Sequence, residues 1–202
     1  MRAPRAGMAP AMPPAAALLV VDMLNPYDHE DADVLADHAA AIVEPLAQLI
    51  ERAREDDAVE VIYVNDNMGD FAATRHDLVR RALDGRRPEL IAPLVPADDL
   101  PFLQKIRHSV FYGTALDHLL RQRELETVIL TGQVTEQCIL YSALDAYVRH
   151  YDVCVVRDAV APIDPQLGEA ALEMMARNMR AQVVAAGSCL DDLRAARRAG
   201  AG

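Results

Sequence analysis

Three side chains of this 202-residue chain have the types and the placement that nucleophilic chemistry needs, namely Asp22, Lys105 and Cys138. Cys138 falls in the first turn of a helix predicted to begin near Thr135, where free backbone N–H groups and the helix dipole favour a thiolate. A nearby ammonium from Lys105 would lower the pKa of that thiol further. Asp22 could accept the thiol proton and later return it to a leaving amine, while backbone N–H groups of residues 132–134 could face an oxyanion.

A bias among the basic residues points to a special role for Lys105. Of the 20 Lys and Arg residues, 19 are Arg and only residue 105 is Lys. A lysine offers a compact charge and a tunable pKa, which the wide and permanently charged guanidinium of arginine lacks. The alternative is that a single lysine has survived by chance.

Each candidate also has a structural alternative. A lone cysteine in a helix is usually a small buried hydrophobic residue, and an aspartate after a strand is often a helix cap or turn residue. Cys154 lies within an apolar run and Cys189 follows the last predicted strand, so both are predicted to be structural.

The elements that would position these residues are short apolar runs alternating with helical patterns. Runs of about four to six residues without polar alternation are typical of parallel strands buried on both faces. The predicted strands are Ala17–Val21, Val59–Val64, Phe102–Arg107, Thr127–Thr131, Val153–Val156 and Gln182–Ala185. The alternation predicts an α/β fold, a three-layer α/β/α sandwich with a Rossmann-like, mainly parallel sheet of about six strands. Ligands bind such sheets beyond the carboxyl ends of the strands, where Asp22 and Cys138 would be adjacent if the first strand pairs with the Thr127 strand.

The helical patterns give further expectations. Residues 35–53 form one apolar face, which Pro45 is expected to kink or restart. Thr114 is a predicted N-cap, and another helix follows Asp164-Pro165. The predicted core face of that last helix consists of Leu167, Ala170, Ala171, Met174 and Met175. Residues 84–101, with four prolines, are the longest irregular insertion and are predicted to be a lid or a subunit contact.

Composition narrows the classes of function. The length predicts one domain at residues 17–202, preceded by a flexible tail at residues 1–16, for which a signal peptide is the less favoured alternative. The formal net charge of −11 argues against binding of nucleic acid or of anionic membranes. Three cysteines without metal-site spacing favour a reducing, cytoplasmic location. No phosphate-cradling or dinucleotide motif is present, and no cofactor is predicted.

Three ordered segments resemble the isochorismatase-like cysteine hydrolases, the family of nicotinamidases and N-carbamoylsarcosine amidases. They are residues 17–25 (ALLVVDMLN), residues 105–116 (KIRHSVFYGTAL) and residues 128–138 (VILTGQVTEQC), the last continuing through Asp158-Ala159. The resemblance implies a catalytic triad of Asp22, Lys105 and Cys138. It also implies a cis peptide bond at Gln133–Val134, an oxyanion hole formed by the backbone N–H groups of Val134 and Cys138, and a homo-oligomer (dimer or tetramer).

The chain departs from the family pattern at several positions. Leu24 stands where members often carry Gln. Nicotinamidases of this family bind a metal through an Asp-x-His pair and a later His, but the matching stretch here is Asp66-Asn67-Met68. We therefore predict no metal site, and nicotinamide becomes a disfavoured substrate. Asn67, Tyr112 and Gln137 are the predicted substrate-binding residues.

Three hypotheses of function follow. The leading one is a metal-independent cysteine hydrolase that cleaves a C–N bond of a small amide or carbamoyl substrate through a thioester. The second is an isochorismatase-type vinyl-ether hydrolase with Asp22 as the acid, although true isochorismatases lack the nucleophilic cysteine. The third is a catalytically inactive small-molecule-binding relative, in which Cys138 would be unreactive.

Overall fold

The computed structural model describes residues 16–200, which form one central parallel sheet of six strands. The strand order is β3-β2-β1-β4-β5-β6, and every neighbouring pair is parallel. The strands are β1 (Ala16–Val21), β2 (Val59–Asp66), β3 (Phe102–Lys105), β4 (Thr127–Gln133), β5 (Asp152–Ala161) and β6 (Gln182–Val184). All six predicted strands are thus confirmed. β1 is an apolar run buried along its whole length, whereas the edge strands β3 and β6 are only partly buried.

Helices cover both faces of the sheet, as predicted. They are α1 (Ala32–Arg54), α2 (Arg75–Leu83), α3 (Pro88–Ile91), α4 (Leu116–Gln122), α5 (Leu140–Val148), α6 (Pro165–Asn178) and α7 (Ala186–Gly200). A 3-10 turn, Ala92–Leu94, follows α3, and a π-helical turn, Thr135–Ile139, precedes α5. No helix in this described part of the chain is long and apolar enough to cross a bilayer.

The two sides of β1 show how the layers form. Leu18 and Val20 pack into the hydrophobic cluster that includes α1, α3 and α7. Ala17, Leu19 and Val21 pack into the opposite cluster, which includes α4, α5 and α6. Because successive side chains of a strand point to opposite faces, a wholly apolar strand needs a helical layer on each side. The three-layer sandwich follows from that requirement.

Several local expectations are corrected by the structure. α1 continues through Pro45 without a restart, since buried residues lie both before and after the proline and their packing outweighs its cost of about 3 kcal/mol. In α6, Met175 is buried but Met174 and Leu167 are exposed, so the buried face is rotated about the helix axis relative to the predicted core face. That face consists of Gly168, Ala171, Leu172 and Met175.

Two boundaries also differ from prediction. The segment 84–101 is not wholly irregular: it contains α3 and the 3-10 turn, with Leu90, Ile91 and Leu94 buried in the core. Ala16 is the buried first residue of β1 rather than the end of a tail. The remainder of the predicted tail, residues 1–15, lies outside the described residues.

Candidate active site

Asp22 stands at the point where the strand order of the sheet reverses. It directly follows β1, which pairs with β2 on one side and with β4 on the other. Its φ of 55° is left-handed, a conformation that the short side chain of an aspartate tolerates better than most. This turn directs the carboxylate to β2, where its Oδ1 accepts the N–H of Asp66 at 2.8 Å. The switch-point placement expected from the sequence is confirmed.

Lys105 is the last residue of β3 and is only 1% exposed. It is the register partner of Asp66 across the parallel β2–β3 pair, so the two side chains lie side by side on the same face of the sheet. A buried lysine requires paired anions, because removing an ammonium from water is otherwise very costly.

Cys138 lies in the π-helical turn after β4 and is 9% exposed. The peptide bond Gln133–Val134, just before this turn, is cis, as the family resemblance implied. Gly132 allows the close approach of β4 to β1: its φ is +104°, and a Cβ there would overlap the carbonyl oxygen of Val21. Single π-helical turns are frequent at functional sites.

The three predicted catalytic side chains are brought together around one ammonium. The Lys105 Nζ lies 2.9 Å from the Asp22 Oδ2 and 3.7 Å from the Cys138 Sγ. A second carboxylate, that of Asp66, lies 3.2 Å from the same nitrogen. The ion pair between Asp66 and Lys105 was not anticipated from the sequence.

The protonation states differ from the sequence-based expectation. Burial raises the pKa of Cys138 to about 12, and the Asp22 carboxylate raises it too, whereas Lys105 and the Val134 backbone lower it. Burial likewise raises the pKa of Asp22 above its ordinary value, although Lys105 opposes this. For Lys105, burial lowers the pKa, but Asp22, Cys138 and Asp66 together raise it above the ordinary value. Burial thus disfavours the pre-formed thiolate expected from the sequence and favours a neutral thiol at Cys138.

Three residues outside the triad, Asn65, Gln133 and Tyr27, hold in place the loop after β1 that carries Asp22. Asn65 accepts the N–H of Leu24 at 2.9 Å and donates to the Leu24 carbonyl at 3.2 Å, which ties the loop after β1 to β2. Gln133 donates to the Asp22 carbonyl at 2.8 Å and accepts the hydroxyl of buried Tyr27 at 3.3 Å. The only sequence signal for Asn65 was its place as a polar residue directly after the predicted strand Val59–Val64.

The cluster opens onto a cavity of about 670 Å³. Asp22 and Cys138 form part of its wall together with Val134 and Asp66. Its remaining lining residues are Leu24, Asn25, Pro26, Asp28, His29, Asp31, Leu35, Asn65, Met68, Arg81, Gln133, Gln137 and Ile163. This volume suits a small molecule.

The predicted substrate-binding residues are only partly brought to this cavity. Gln137 lines it. Asn67 does not: its buried side chain accepts the N–H of Gly69 at 3.0 Å and shapes the turn after β2. Tyr112 is 60% exposed and is absent from the lining. Sequence proximity to a motif did not reveal which way these side chains point.

No metal-binding cluster is found among the described residues, meaning a group of three or more His, Cys, Asp or Glu side chains that could hold an ion. At the position of the family's metal-binding histidine stands Met68, which is 39% exposed and whose backbone N–H donates to the Asp66 carboxylate. Cys154 and Cys189, like Cys138, are free and buried, which fits the structural role predicted for both.

The fold and the site define a class of protein: a parallel α/β protein with a cysteine, a lysine and a carboxylate at its topological switch point. Residues 16–187 match the family model described as Isochorismatase domain. The chain belongs to the isochorismatase family of hydrolases.

The chain is similar to several individual members of this family. It is 34% identical over 167 residues to an uncharacterized isochorismatase family protein, YaaI, of Bacillus subtilis (strain 168), covering 83% of this chain and 92% of the relative. It is 30% identical to the ureidoacrylate amidohydrolase RutB of Methylorubrum extorquens, covering 73% and 70% of the two chains. The crystal structure of N-carbamoylsarcosine amidase from Thermoplasma acidophilum is 30% identical with a TM-score of 0.67, covering 85% of this chain and 96% of that one.

Proposed function

We propose that this protein is a metal-independent cysteine hydrolase that cleaves a C–N bond of a small amide or carbamoyl substrate. The contact of Lys105 with both Asp22 and Cys138, at 2.9 and 3.7 Å, is the observation that carries the proposal. Two relatives act on ureido or carbamoyl compounds according to their names, which favours substrates of that class. The exposed side chain of Met68 in place of a histidine supports a reaction without a metal ion.

In the proposed first half-reaction, the Cys138 thiol passes its proton to Asp22 as its sulfur attacks the substrate carbonyl carbon. The backbone N–H groups of Val134 and Cys138 would hold the oxyanion. Collapse breaks the C–N bond, and the leaving amine takes the proton from Asp22. Lys105 stays charged throughout and offsets the negative charge that develops beside it.

In the second half-reaction, water attacks the thioester and gives one proton to Asp22. The C–S bond breaks, the acid product leaves, and the proton on Asp22 returns to the sulfur. The balance is one amide and one water consumed for one acid and one amine released. Gln137, on the cavity wall, is the proposed polar contact for the substrate.

The test is ammonia release from a panel of small amides and carbamoyl compounds. We expect Cys138→Ala to lose at least a thousandfold in kcat/KM on any substrate that the wild type hydrolyses, because the covalent route is gone. Cys189→Ala, which changes another buried cysteine, is the matched control and should retain turnover. An acyl adduct on Cys138 in rapidly quenched samples, read by mass spectrometry, would support the thioester. Retained turnover in Cys138→Ala would refute the assignment.

Acid catalysis on a vinyl ether is the second candidate, and the raised pKa of the buried Asp22 favours it. A carboxyl group that keeps its proton can protonate an enol-ether carbon. This reaction predicts that Asp22→Asn abolishes turnover while Cys138→Ala does not. The two variants therefore separate the two candidate reactions.

We also propose a homo-oligomer, a dimer or tetramer, located in the cytoplasm. Exposed apolar side chains recur at positions i, i+3 and i+7 on α5 (Tyr141, Leu144, Val148), and Leu167 and Met174 are exposed on α6. Such stripes are typical of surfaces buried on association. Light scattering after size exclusion tests this: Leu144→Asp should shift the protein to a smaller species.

A further inference from the structure

A second carboxylate contacts the catalytic ammonium. Lys105 Nζ lies 3.2 Å from the Asp66 Oδ2, only 0.3 Å farther than the 2.9 Å to the Asp22 Oδ2. Asp66 is held in this position by two bonds: its Oδ1 accepts the N–H of Met68 at 2.7 Å, and its own N–H donates to Asp22 at 2.8 Å. Its side chain is 32% exposed and forms part of the cavity wall.

The charges in this cluster do not balance if the thiol ionises. One ammonium faces two carboxyl groups, so with Cys138 neutral and both carboxyl groups ionised the group carries a net charge of −1. Losing the thiol proton to solvent would add a second negative charge in a buried site. Passing the proton to Asp22 leaves the total unchanged. The arrangement therefore favours internal proton transfer over a standing thiolate.

We propose that Asp66 is a positioning residue that acts through Lys105: its carboxylate anchors the ammonium and shares its charge, so that Cys138 keeps its proton until Asp22 accepts it during attack. The effect on turnover rests on the function proposed above. The effect on the thiol does not, because it follows from charge alone.

Other charged groups around the cavity are less closely placed. Asp28, His29 and Asp31 lie at its mouth in the loop after β1, and all three are exposed. Arg81, from α2, is paired with Asp70 at 3.0 Å. Among the described residues, only Asp22 and Asp66 form an ion pair with Lys105. Asp66 is thus the group outside the triad with the strongest influence on the ammonium.

The expected size of the effect follows from the distances. Asp66 Oδ2 and Cys138 Sγ lie 3.2 and 3.7 Å from the same nitrogen, so they are at most about 7 Å apart. With an effective dielectric constant of about 20, a unit charge at that distance shifts a pKa by about 1.7 units. Removing it would raise the thiolate fraction about fiftyfold, and the lower nucleophilicity of a less basic thiolate reduces the gain in alkylation rate to about five- to tenfold.

The experiment compares Asp66→Asn with the wild type in two assays. Alkylation of Cys138 by iodoacetamide, followed by peptide mass spectrometry between pH 7 and 10, should become about five- to tenfold faster. Hydrolysis of a substrate accepted by the wild type should become slower, because Lys105 then pairs more strongly with Asp22 and weakens it as a proton acceptor. Opposite changes in the two assays are the signature of the proposed role.

Three comparisons make the result decisive. Asp66→Glu restores the charge and should return the alkylation rate to near the wild-type value. Asp28→Asn makes the same charge change at the exposed mouth and should alter alkylation by less than about twofold, since solvent screens it. Circular dichroism verifies folding.

Two outcomes would overturn the proposal. An unchanged alkylation rate in Asp66→Asn would show that its charge is not sensed by the thiol. A fall in both alkylation and hydrolysis would indicate a merely structural role. If alkylation rises as expected but the wild type hydrolyses no amide, the proposed reaction fails while the electrostatic role of Asp66 stands.

Discussion

Replacing Lys105 by methionine should destabilise this protein strongly, and by an amount that depends on pH. The side chain is 1% exposed and its ammonium lies between Asp22 and Asp66. Methionine keeps much of the length of the side chain but leaves two carboxylates facing each other without a cation. Removing one partner from a buried ion pair typically costs about 3–5 kcal/mol.

The distances give an independent figure for this loss. The two carboxylate oxygens lie 2.9 and 3.2 Å from one nitrogen and are therefore at most about 6 Å apart. At an effective dielectric constant of about 20, their repulsion without Lys105 is about 3 kcal/mol. We expect Lys105→Met to lose about 3–5 kcal/mol of unfolding free energy at pH 7.5.

The loss should shrink as the pH falls. Burial already raises the pKa of Asp22 with Lys105 present, and removing the cation raises it further. A carboxyl group with a raised pKa binds more protons in the folded than in the unfolded state, so lowering the pH stabilises the folded variant. In the wild type, Lys105 is charged in both states at both pH values, since its folded pKa is above its ordinary value. The difference between variant and wild type should therefore be about 1–2 kcal/mol smaller at pH 5.5.

Urea unfolding followed by far-UV circular dichroism at pH 7.5 and 5.5 measures both quantities. Arg54→Met is the matched control: it removes a cation paired with Asp99 at the surface, where the two side chains are 39% and 70% exposed. That change should cost less than about 1 kcal/mol at either pH. A loss below about 1 kcal/mol for Lys105→Met at pH 7.5, or one that does not decrease at pH 5.5, would contradict this electrostatic account of the site.

Three further predictions follow from the surroundings of the triad. Gly132→Ala should reduce stability by several kcal/mol or abolish soluble expression, because its Cβ would overlap the backbone of β1. The control Gly69→Ala has a φ of +78° but open space around it and should cost only about 1 kcal/mol. Similar melting temperatures of the two variants would contradict the role assigned to the close approach of β4 to β1. Tyr27→Phe removes the hydroxyl that donates to Gln133 at 3.3 Å, and it should lower the free energy of unfolding by about 1 kcal/mol and measurably reduce kcat. An unchanged kcat would show that this hydrogen bond does not help to position the triad. Alkylation of wild-type Cys138 should rise about tenfold per pH unit from pH 7 to 10 without a plateau, because burial raises its pKa to about 12; a plateau below pH 8.5 would show a standing thiolate instead.

Sequence patterns located the strands because the strands depend on local composition, whereas the triad was implied by the family resemblance. A central parallel strand is buried on both faces, so β1 is visible as an uninterrupted apolar run, whereas the edge strands β3 and β6 include Gln104 and Gln182 and are only partly buried. The switch point follows from β1 lying between β2 and β4, which places Asp22 and Cys138 at one edge. The cis peptide bond at Gln133–Val134 was anticipated from the family resemblance, not from the residues themselves.

The expectations that failed concern orientation and environment. Helical periodicity identified α6 but assigned Met174 to the core, since two adjacent stripes of one helix were both apolar and only packing selects between them. Tyr112 lies within a family motif, yet its side chain is 60% exposed. Such choices depend on neighbours that are distant in the chain.

By itself, the sequence determined the architecture, the family and the identity of the three side chains around which the site is built, because these depend on residue type and order. The tertiary structure decided which charged groups surround those side chains and how deeply they are buried. Register across β2 and β3 places Asp66 beside Lys105, and burial disfavours a thiolate at Cys138. Charge in a protein interior is governed by distance and desolvation, and neither quantity is fixed until the chain is folded.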